Sequence, residues 1–296
     1  MKILYTIDAL KRGGKERQLI ELLKGLKYNK NLEIELVLMN RDIHYNDIFN
    51  LNVKINYLIR SKKKDVKSFF KLYKICKEFK PDIIHSWDSM TATYALPIAK
   101  LFKIIIINGS IRNATPLKLF SFPWFNSKLT FPFYDCIISN SLAGLKIYNI
   151  SKRNGYCINN GFDFERVSNL KSVKETRKSL GICYENVIGM VASFTPKKDW
   201  STFIESAKII LSARNNVKFI VIGNGPLFES KTKLIDKKII NNVIILSDYD
   251  PVEEIINVFD IGVLTTDTDY HKEGISNSIM EYMALGNPVI ATDNGG

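Results

Sequence analysis

Short β-branched apolar runs alternate with longer amphipathic segments along this chain, and this alternation constrains the fold more than any other feature. The runs are three to seven residues long and largely apolar, which is typical of parallel strands covered on both faces of a sheet. Segments such as Glu16–Leu26, Val66–Phe79 and Trp200–Ser212 repeat their apolar residues with a helical period. The sequence therefore predicts an α/β protein built from βαβ units, with doubly wound parallel sheets.

The predicted strands fall into two series. The first is Lys2–Ile7, Glu33–Met39, Val53–Leu58, Ile83–His85, Ile104–Asn108, Cys136–Ser139 and Gly155–Ile158; the second is Val187–Val191, Lys218–Ile222, Val243–Leu246, Ile261–Leu264 and Pro288–Thr292. Around Gly161–Lys174 the chain is polar and lacks strand character, as in a linker. We therefore expect two Rossmann-like lobes that face a cleft, residues 1–165 and 166–296.

The last predicted strand is followed by Asn294-Gly295-Gly296. A strand that ends in this way normally continues into a helix that covers the sheet. We therefore expect the second lobe to be incomplete, truncated at its C-terminus, with one face of its sheet uncovered.

Composition excludes several classes of protein. The 296 residues include 42 Lys+Arg and 30 Asp+Glu, which gives a formal net charge of +12, and 46% are hydrophobic, which excludes a disordered chain. Lys outnumbers Arg by 33 to 9, whereas nucleic-acid recognition favours Arg, so we expect no nucleic-acid partner. The charge still suits an anionic membrane or a nucleoside diphosphate.

Targeting and redox signals point to the cytoplasm. No apolar run approaches the roughly 18 residues of a membrane span, and the first residues predict a buried strand rather than a secretory signal. The four Cys have no metal-binding or disulfide spacing, which is typical of structural thiols in a reducing compartment.

The stretch from His271 to Gly296 carries two carboxylates that frame the start of a predicted helix. Glu273 precedes the helix and Glu281 lies inside it, so both can reach one ligand across the amino end, where the helix dipole favours phosphate. The alternative is an ordinary capped helix with a solvated Glu281. Ser276 or Asn277 is the predicted cap. The predicted apolar side of the helix comprises Ile279, Met280, Met283 and Ala284.

Two glycine-rich turns are weaker signals. Gly13-Gly14 separates the first strand from a helix, so either a ligand approaches the backbone there or the turn is simply tight. Gly223-Asn224-Gly225 follows the strand Lys218–Ile222 without the third glycine of a dinucleotide fingerprint, which disfavours an NAD-dependent dehydrogenase.

The segment EGISNSIMEYMALGNPVIATDNGG (273–296) resembles the signature of the retaining family 4 (group 1) glycosyltransferases of the GT-B fold, in which seven residues separate two Glu. Five further segments resemble motifs of that family in the same order: GGKERQL (13–19), SNSLAGLKIY (139–148), INNGFD (158–163), ASFTPKKDWSTFIESA (192–207) and IGNGP (222–226). The resemblance covers essentially the whole chain, and chance agreement of several ordered motifs is improbable.

The resemblance implies a role for each matching residue. Glu281 would bind the donor ribose, Glu273 the hydroxyls of the transferred sugar, and Lys198 the leaving diphosphate. The remaining donor contacts that it implies are Gly13, Gly14, Ser193, Gly223, Gly225, Gly274, Ile275, Ser276 and Asn277. Lys197 is one residue out of register with the family lysine, so we expect it to be solvated.

Two positions depart from the family pattern. Ser193 stands where the family usually has Arg, so one charge of the expected Arg/Lys pair is missing. Trp87 stands in the second slot of a His-x-His segment that begins at His85. His85 either orients the acceptor or is a satisfied histidine at a strand end; Asp88 is a candidate acceptor base, and Arg112 a candidate for the acceptor side, as is Trp87.

We expect neither a metal nor a cofactor, with a UDP- or GDP-sugar as the donor substrate. Asp267-Thr268-Asp269 mimics a DxD metal motif but lies outside the context that the motif needs, so it predicts a polar loop. His271 precedes Glu273 by two residues and can border the donor sugar, although a surface position is favoured. No His/Cys/Asp cluster indicates a bound metal.

Two first-lobe segments combine cations or aromatic rings in a way that suits a membrane interface. Arg60-Ser61-Lys62-Lys63-Lys64 precedes the amphipathic Val66–Phe79, and residues 115–134 are rich in aromatic side chains and include Lys118 and Lys128. The alternative is a solvated charge run and a buried pair of helices.

The expected function is transfer of a sugar from a nucleotide-diphosphate sugar to a hydroxyl of a glycan or lipid-linked acceptor, in bacterial polysaccharide, capsule or lipopolysaccharide assembly. No covalent nucleophile stands out in the sequence, so the resemblance implies a front-face reaction that retains the anomeric configuration. The expected location is cytoplasmic, or peripheral at the inner face of the plasma membrane. Two alternatives stay open: a GT-B nucleotide-sugar epimerase and a non-catalytic partner that binds glycan or lipid.

Overall fold

The structure is a computed structural model that describes residues 1–60, 65–183, 186–247 and 249–296. The chain divides into two units, Met1–Gly161 and Phe162–Gly295. The polar segment predicted as a linker is part of the second unit, where Phe164–Val167 form a 3-10 turn. Residues 61–64 of the basic run lie outside the described residues.

The first unit contains a seven-stranded parallel sheet. Its strands are β1 (Lys2–Ile7), β2 (Glu33–Leu38), β3 (Lys54–Tyr57), β4 (Ile83–Ser86), β5 (Ile105–Ile111), β6 (Cys136–Ser139) and β7 (Gly155–Cys157), in the spatial order β3-β2-β1-β4-β5-β6-β7. The direction of winding reverses between β1 and β4, and open α/β sheets bind ligands at such a switch point. The predicted doubly wound sheet is confirmed.

Helices cover this sheet. They are α1 (Gly14–Leu26), α2 (Val66–Phe79), α3 (Ser89–Phe102), α4 (Phe122–Thr130) and α5 (Leu142–Ile147). Helix α2 has the predicted bounds because the Asp65 side chain accepts a hydrogen bond from Lys67 N at its start and Lys80 takes a left-handed conformation (φ 53°) at its end.

The second unit contains a five-stranded parallel sheet in the order β10-β9-β8-β11-β12. Its strands are β8 (Asn186–Val191), β9 (Val217–Ile222), β10 (Val243–Leu246), β11 (Ile261–Leu264) and β12 (Val289–Ala291), and its helices are α6 (Val173–Ser179), α7 (Trp200–Ala213), α8 (Phe228–Thr232), α9 (Val252–Ile256) and α10 (Asn277–Ala284). The switch point of this sheet lies between β8 and β11.

Successive side chains of the central strands enter different hydrophobic clusters. In β1, Leu4 packs in one cluster and Tyr5 in another; in β9, Phe219 and Ile220 are divided in the same way. Since neighbouring side chains of a strand point to opposite faces, both faces of each sheet are covered there. This explains why the strands appear in the sequence as continuous apolar runs.

Tyr282 attaches α10 to the sheet at the point where β8 and β11 cease to pair. The two strands pair at Ile188 and Gly189, and beyond this point the Tyr282 hydroxyl accepts a hydrogen bond from Val191 N (2.7 Å) and donates one to Val263 O (3.2 Å). The fully buried ring lies against Gly262, where a Cβ atom would come within 2.4 Å of a ring carbon. Gly262 therefore makes room for the residue that positions α10.

The predicted apolar side of α10 is wrong at Met283, which is 66% exposed, whereas Ile279 packs against the core as predicted. Glu281 and Tyr282 are the buried residues of the helix. The helix packs through the Tyr282 ring and buries an ion pair of Glu281, so its apolar residues alone do not mark the inward face. Ile290 of β12 is also exposed.

None of the helices in the described ranges is long and apolar enough to cross a membrane.

We expect Gly262→Ala to lower the free energy of unfolding by about 1–3 kcal/mol, because the added methyl group overpacks the buried Tyr282 ring. Gly25→Ala in α1 is the matched control: nothing lies within 4 Å of its Cβ, so better helix propensity should stabilise the protein by up to about 1 kcal/mol. Urea unfolding of both variants measures this. Equal stability of Gly262→Ala and the wild type would contradict the role of Gly262.

Candidate active site

Two residues that the sequence assigned to donor chemistry form an ion pair at the carboxyl edge of the second sheet. The Lys198 ammonium contacts Glu273 Oε1, across 75 positions of sequence. Lys198 lies in the segment between β8 and α7 and pairs with Thr266, which follows β11, through an isolated bridge. Since β8 and β11 are neighbours at the switch point, the two loops deliver opposite charges to one place.

Glu273 Oε1 collects other partners. Thr266 Oγ1 donates to it at 3.4 Å, and His271 Nε2 lies 3.6 Å away. Burial acts to raise the pKa of Glu273, but the hydrogen bond from His271 and the charge and hydrogen bond of Lys198 outweigh it and lower the pKa to about 2. Glu273 is therefore a carboxylate at neutral pH, able to accept hydrogen bonds from hydroxyl groups.

The expectation that His271 lies at the surface is wrong. It is 8% exposed, its backbone N–H donates to Asp267 O (2.9 Å), and its carbonyl accepts from Asn294 Nδ2 (3.2 Å). The loop folds inward because His271 Nε2 approaches the Glu273 carboxylate, and a lone His in a polar sequence carries no signal of this.

Glu281 is held by a residue that sequence reasoning missed. Arg166, in the segment predicted as a linker, reaches Glu281 Oε1 at 3.1 Å and also contacts the Glu253 carboxylate of α9. Both carboxylates are nearly inaccessible, so the alternative of a solvated Glu281 is wrong. The Arg166 guanidinium also lies 5.0 Å from the centre of the Phe162 ring. Arg166 follows the INNGFD motif by only three positions, and this proximity was the one signal in the sequence.

The residues Gly274, Ile275, Ser276 and Asn277 lie at the amino end of α10. Ser276 takes the N-cap position with extended backbone, but its side chain makes no capping hydrogen bond. The first backbone N–H groups of a helix point outward from its amino end and carry partial positive charge, which favours an anion there. The chain thus places these amides in the same loop as Glu273.

Gly223 and Gly225 allow two loops to touch at the backbone. A Cβ on Gly223 would lie 1.9 Å from Ala192 O, and one on Gly225 would lie 2.6 Å from Phe194 O; both have φ near +150°. Ser193, which lies between Ala192 and Phe194, is exposed. Its hydroxyl lies 3.3 Å from Thr195 Oγ1, and its carbonyl accepts a hydrogen bond from Trp200 Nε1. The two glycines therefore hold the segment that leads to Lys198, and their predicted donor contacts stay a prediction.

In the first unit, Gly13 is the N-cap residue of α1, and Gly14 begins the helix. The Tyr45 hydroxyl bonds to both the N–H and the carbonyl of Gly13, at 3.3 and 3.1 Å. A Cβ on Gly13 would lie 2.3 Å from Glu16 Oε2, so the Glu16 carboxylate folds over the start of its own helix. Gly13 therefore has a packing reason as well as the predicted functional one.

The acceptor-side candidates of the first unit form one stack. The His85 ring lies between those of Tyr5 (5.3 Å) and Trp87 (5.5 Å), and the Arg112 guanidinium lies 4.1 Å from the centre of the Trp87 ring. Burial, with the charge of Arg112, lowers the pKa of His85 to about 3, and burial lowers the pKa of Arg112 to about 10 against the opposing charge of Glu16. His85 is thus neutral and Arg112 charged at pH 7.

Three buried nitrogen atoms in this stack, His85 Nε2, Trp87 Nε1 and Arg112 Nε, have no hydrogen-bond partner within the described part of the chain. Such atoms normally carry a cost of about 1–3 kcal/mol each. His85 is therefore not the satisfied strand-end histidine of the alternative reading.

Asp88 has a structural task at the first switch point. Its Oδ1 accepts from Thr91 N (2.9 Å) as the N-cap of α3, and its Oδ2 accepts from Asp8 N (2.8 Å) after β1. Both oxygens are thereby engaged, which accounts for the residue without any catalytic role. Its assignment as an acceptor base stays a prediction.

Asp267-Thr268-Asp269 forms a turn, in which Asp267 Oδ1 accepts from Asp269 N at 3.1 Å. Among the residues that the structure describes, no three His, Cys, Asp or Glu side chains come together so that they could hold a metal ion. The metal-independent reaction stays a prediction.

Two Rossmann-like parallel sheets, each with a switch point, define the fold class as GT-B. HepE of Anabaena, solved with UDP and glucose, has the same fold: its TM-score is 0.83, and the match covers 100% of this chain and 82% of that one at 18% identity. Residues 185–296 match the model of the family Glycosyl transferases group 1.

Relatives that match over most of the chain are named as glycosyltransferases. The capsular polysaccharide biosynthesis glycosyltransferase CapM of Staphylococcus aureus is 27% identical over 99% of this chain and 79% of its own length. The UDP-Gal:alpha-D-GlcNAc-diphosphoundecaprenol alpha-1,3-galactosyltransferase of Escherichia coli is 26% identical over 79% of this chain. The chain spans 63% of that relative and 60% of a glycosyltransferase of Methanocaldococcus jannaschii. None of these names favours an epimerase or a non-catalytic protein.

We expect the free energy of unfolding of the second unit to fall as the pH falls from about 4.5 toward 2. The reason is that the pKa of Glu273 has its ordinary value of 4.5 in the unfolded chain and is about 2 in the folded protein. The stabilisation is complete above pH 4.5 and amounts to up to about 3 kcal/mol. Glu273→Gln should therefore flatten the dependence of Tm on pH in this window. The exposed Glu229→Gln is the control and should leave the slope unchanged; identical slopes for all three proteins would contradict the assignment.

Arg166→Ala should lower the free energy of unfolding by about 3–5 kcal/mol, because it removes the cation that faces two buried carboxylates. Adding Glu253→Gln to that variant should recover part of the loss, since one buried charge is then neutralised. Arg153→Ala, at an exposed position, is the control. Chemical unfolding measures all three, and a loss below about 1 kcal/mol in Arg166→Ala would show that the cluster contributes little.

Proposed function

We propose that this glycosyltransferase transfers a sugar from a UDP- or GDP-sugar to a hydroxyl group with retention of the anomeric configuration. The observation that carries the proposal is the ion pair of Lys198 and Glu273 beside the amino end of α10. It supplies, within one contact, a cation suited to phosphate and a carboxylate suited to sugar hydroxyls.

Each group has a separate task in this proposal. The Lys198 ammonium and the amides at the start of α10 stabilise the negative charge that grows on the leaving diphosphate. Glu273, kept ionised by its neighbours, accepts hydrogen bonds from the transferred sugar, and Glu281 accepts them from the donor ribose. No metal is needed for this neutralisation.

Bond changes on one face of the sugar give retention. The bond from the anomeric carbon to the diphosphate oxygen breaks, the bond to the acceptor oxygen forms on the same face, and the acceptor proton passes to the departing phosphate oxygen. The positive charge of the intermediate state is compensated by the departing diphosphate, so no enzyme nucleophile is required.

The stack of the first unit is the proposed acceptor site. His85 Nε2, Trp87 Nε1 and Arg112 Nε are buried without a partner in the described residues, so polar atoms of a glycan would remove the cost of leaving them unsatisfied. The aromatic rings of His85 and Trp87 suit the apolar face of a sugar ring. Because the Escherichia coli relative is named for a diphosphoundecaprenol-linked acceptor, and CapM for capsular polysaccharide, we propose a glycan or lipid-linked acceptor in surface polysaccharide assembly, at the cytoplasmic side of the membrane.

The test is nucleotide binding by matched lysine variants, measured by calorimetry with UDP, GDP and their sugars. Lys198→Ala should weaken binding of the preferred nucleotide by about 1–3 kcal/mol, through the loss of a charge-assisted hydrogen bond. Lys197→Ala, an exposed neighbour, should change it by less than about 0.5 kcal/mol. Equal effects of the two substitutions, or binding of neither nucleotide, would overturn the donor site.

Retention is tested separately, on the wild type with a supplied lipid-linked or glycan acceptor. The anomeric proton of the product, followed by NMR from the first turnovers, should show the configuration of the donor. An inverted product would overturn the front-face reaction and leave the donor site intact. Donor isomerisation in the absence of acceptor would instead indicate an epimerase.

A further inference from the structure

Helix α4 of the first unit presents its apolar face outward. Phe122, Phe125 and Leu129 have the spacing i, i+3, i+7, which places them on one side of a helix. They are 80%, 46% and 69% exposed, whereas the buried residue of the helix is Ser127. This is the reverse of the usual orientation of an amphipathic helix in a globular protein.

Apart from the exposed Lys128, the polar side chains of α4 bond to their own backbone or to α3. Ser127 Oγ donates to Trp124 O (2.8 Å), Thr130 Oγ1 donates to Asn126 O (2.7 Å), and Asn126 Oδ1 accepts from Thr93 Oγ1 of α3 (3.3 Å). The hydroxyl groups of Ser127 and Thr130 and the amide oxygen of Asn126 therefore have partners within the protein. Hydrocarbon can approach the outer face without stranding a polar group.

The apolar surface continues beyond the helix. Leu119 and Phe120 precede it at 71% and 74% exposed, and Phe133 follows it. We call these residues, together with Phe122, Phe125 and Leu129, the α4 patch. Six large apolar side chains in one exposed stretch exceed what single scattered surface residues explain, and such patches mark an interaction surface.

Charge selects the partner. Between residues 113 and 162 the chain has five cations, and Asp135 is the only acidic residue. Asp135 is paired with Lys100 of α3 at 2.9 Å. Lys118 and Lys128, both exposed, flank the α4 patch. Aromatic rings with lysines at their border match the interface of an anionic bilayer, where rings enter the headgroup region and cations meet lipid phosphate.

A pocket of about 240 Å³ opens beside the patch. Its lining includes Leu119, Trp124, Ile147 and Tyr148, together with Lys128. It therefore repeats the combination of apolar surface and cation found on the patch itself.

We propose that the α4 patch docks the protein on the surface of an anionic lipid bilayer, with the α4 axis lying along the interface. The rings of Phe120, Phe122 and Phe125 enter the headgroup region, and Lys118 and Lys128 contact lipid phosphates. The inference stands apart from sugar transfer, since it uses no residue of the donor site.

The test is sedimentation of the full chain with vesicles of phosphatidylcholine alone and with 30% phosphatidylglycerol. The wild type should bind the anionic vesicles, with affinity that falls as salt rises. The triple variant Phe122→Ser, Phe125→Ser, Leu129→Ser should lose at least about tenfold in affinity, since three apolar side chains leave the interface. Its Tm should equal that of the wild type, because the three side chains are exposed.

Two matched controls distinguish docking through the α4 patch from nonspecific adsorption to vesicles. Tyr28→Ser, Phe49→Ser, Ile209→Ser removes three exposed apolar side chains outside both segments that suit a membrane interface, and should leave vesicle binding unchanged. Lys118→Glu, Lys128→Glu should lower binding to anionic vesicles by roughly tenfold or more. Equal losses in the two apolar triple variants would overturn the proposal, as would a wild type that binds neither vesicle.

Trp124 reports the geometry directly. It packs against Phe120 and Phe125, with ring centres 5.4 and 4.9 Å apart, whereas Trp87 and Trp200 are buried. Lipids brominated near the headgroup should quench its emission, and Trp124→Phe should remove that quenching. A wild type that self-associates through the patch in sedimentation velocity, with no quenching by brominated lipid, would assign the surface to a second copy and overturn the bilayer. Nucleotide affinity, measured without vesicles, should be the same for every patch variant.

Discussion

The ion pair between Lys198 and Glu273 determines how the loops are arranged at the carboxyl edge of the second sheet. It joins the loops that follow β8 and β11, neighbours at the point where the sheet reverses its winding. Backbone contacts surround it: Lys198 pairs with Thr266, and Glu273 pairs with Gly295. Parallel strands create the edge, but the opposite charges determine which loop residues meet there.

A second cluster of charges, formed by Arg166, Glu253 and Glu281, holds the second carboxylate of the candidate site. Arg166 brings a guanidinium to the carboxylates of Glu253 and Glu281, in a site that solvent hardly reaches. Desolvating three charged groups is costly, and hydrophobic packing of similar volume is often as stable. The cluster therefore makes more sense as a device that fixes the Glu281 carboxylate than as a source of stability. It also explains how a segment without strand character belongs to the second unit.

Sequence reasoning predicted the elements governed by local pattern and missed those governed by distant contacts. The bounds of α2 follow from a cap and an amphipathic period within the helix itself, so Val66–Phe79 could be read directly. The inward face of α10 could not, because it is decided by Gly262 and by Arg166, far away in the sequence. His271 and Arg166 were misjudged or missed for the same reason. The pairing of Lys198 with Glu273 was within reach only because a family resemblance had already assigned both to one ligand.

The Tyr282 hydroxyl has a consequence for the crevice at the second switch point. Beyond Gly189 the ladder between β8 and β11 gives way to a single oxygen atom that bonds Val191 N on one strand and Val263 O on the other. The ends of the two strands are thus bridged by one phenol, which is a rigid group of fixed length. Glu281 directly precedes Tyr282, so the helical turn that bridges the two strands also carries the Glu281 carboxylate. The loops that follow β8 and β11 can therefore differ in sequence while the spacing between the two strand ends stays the same.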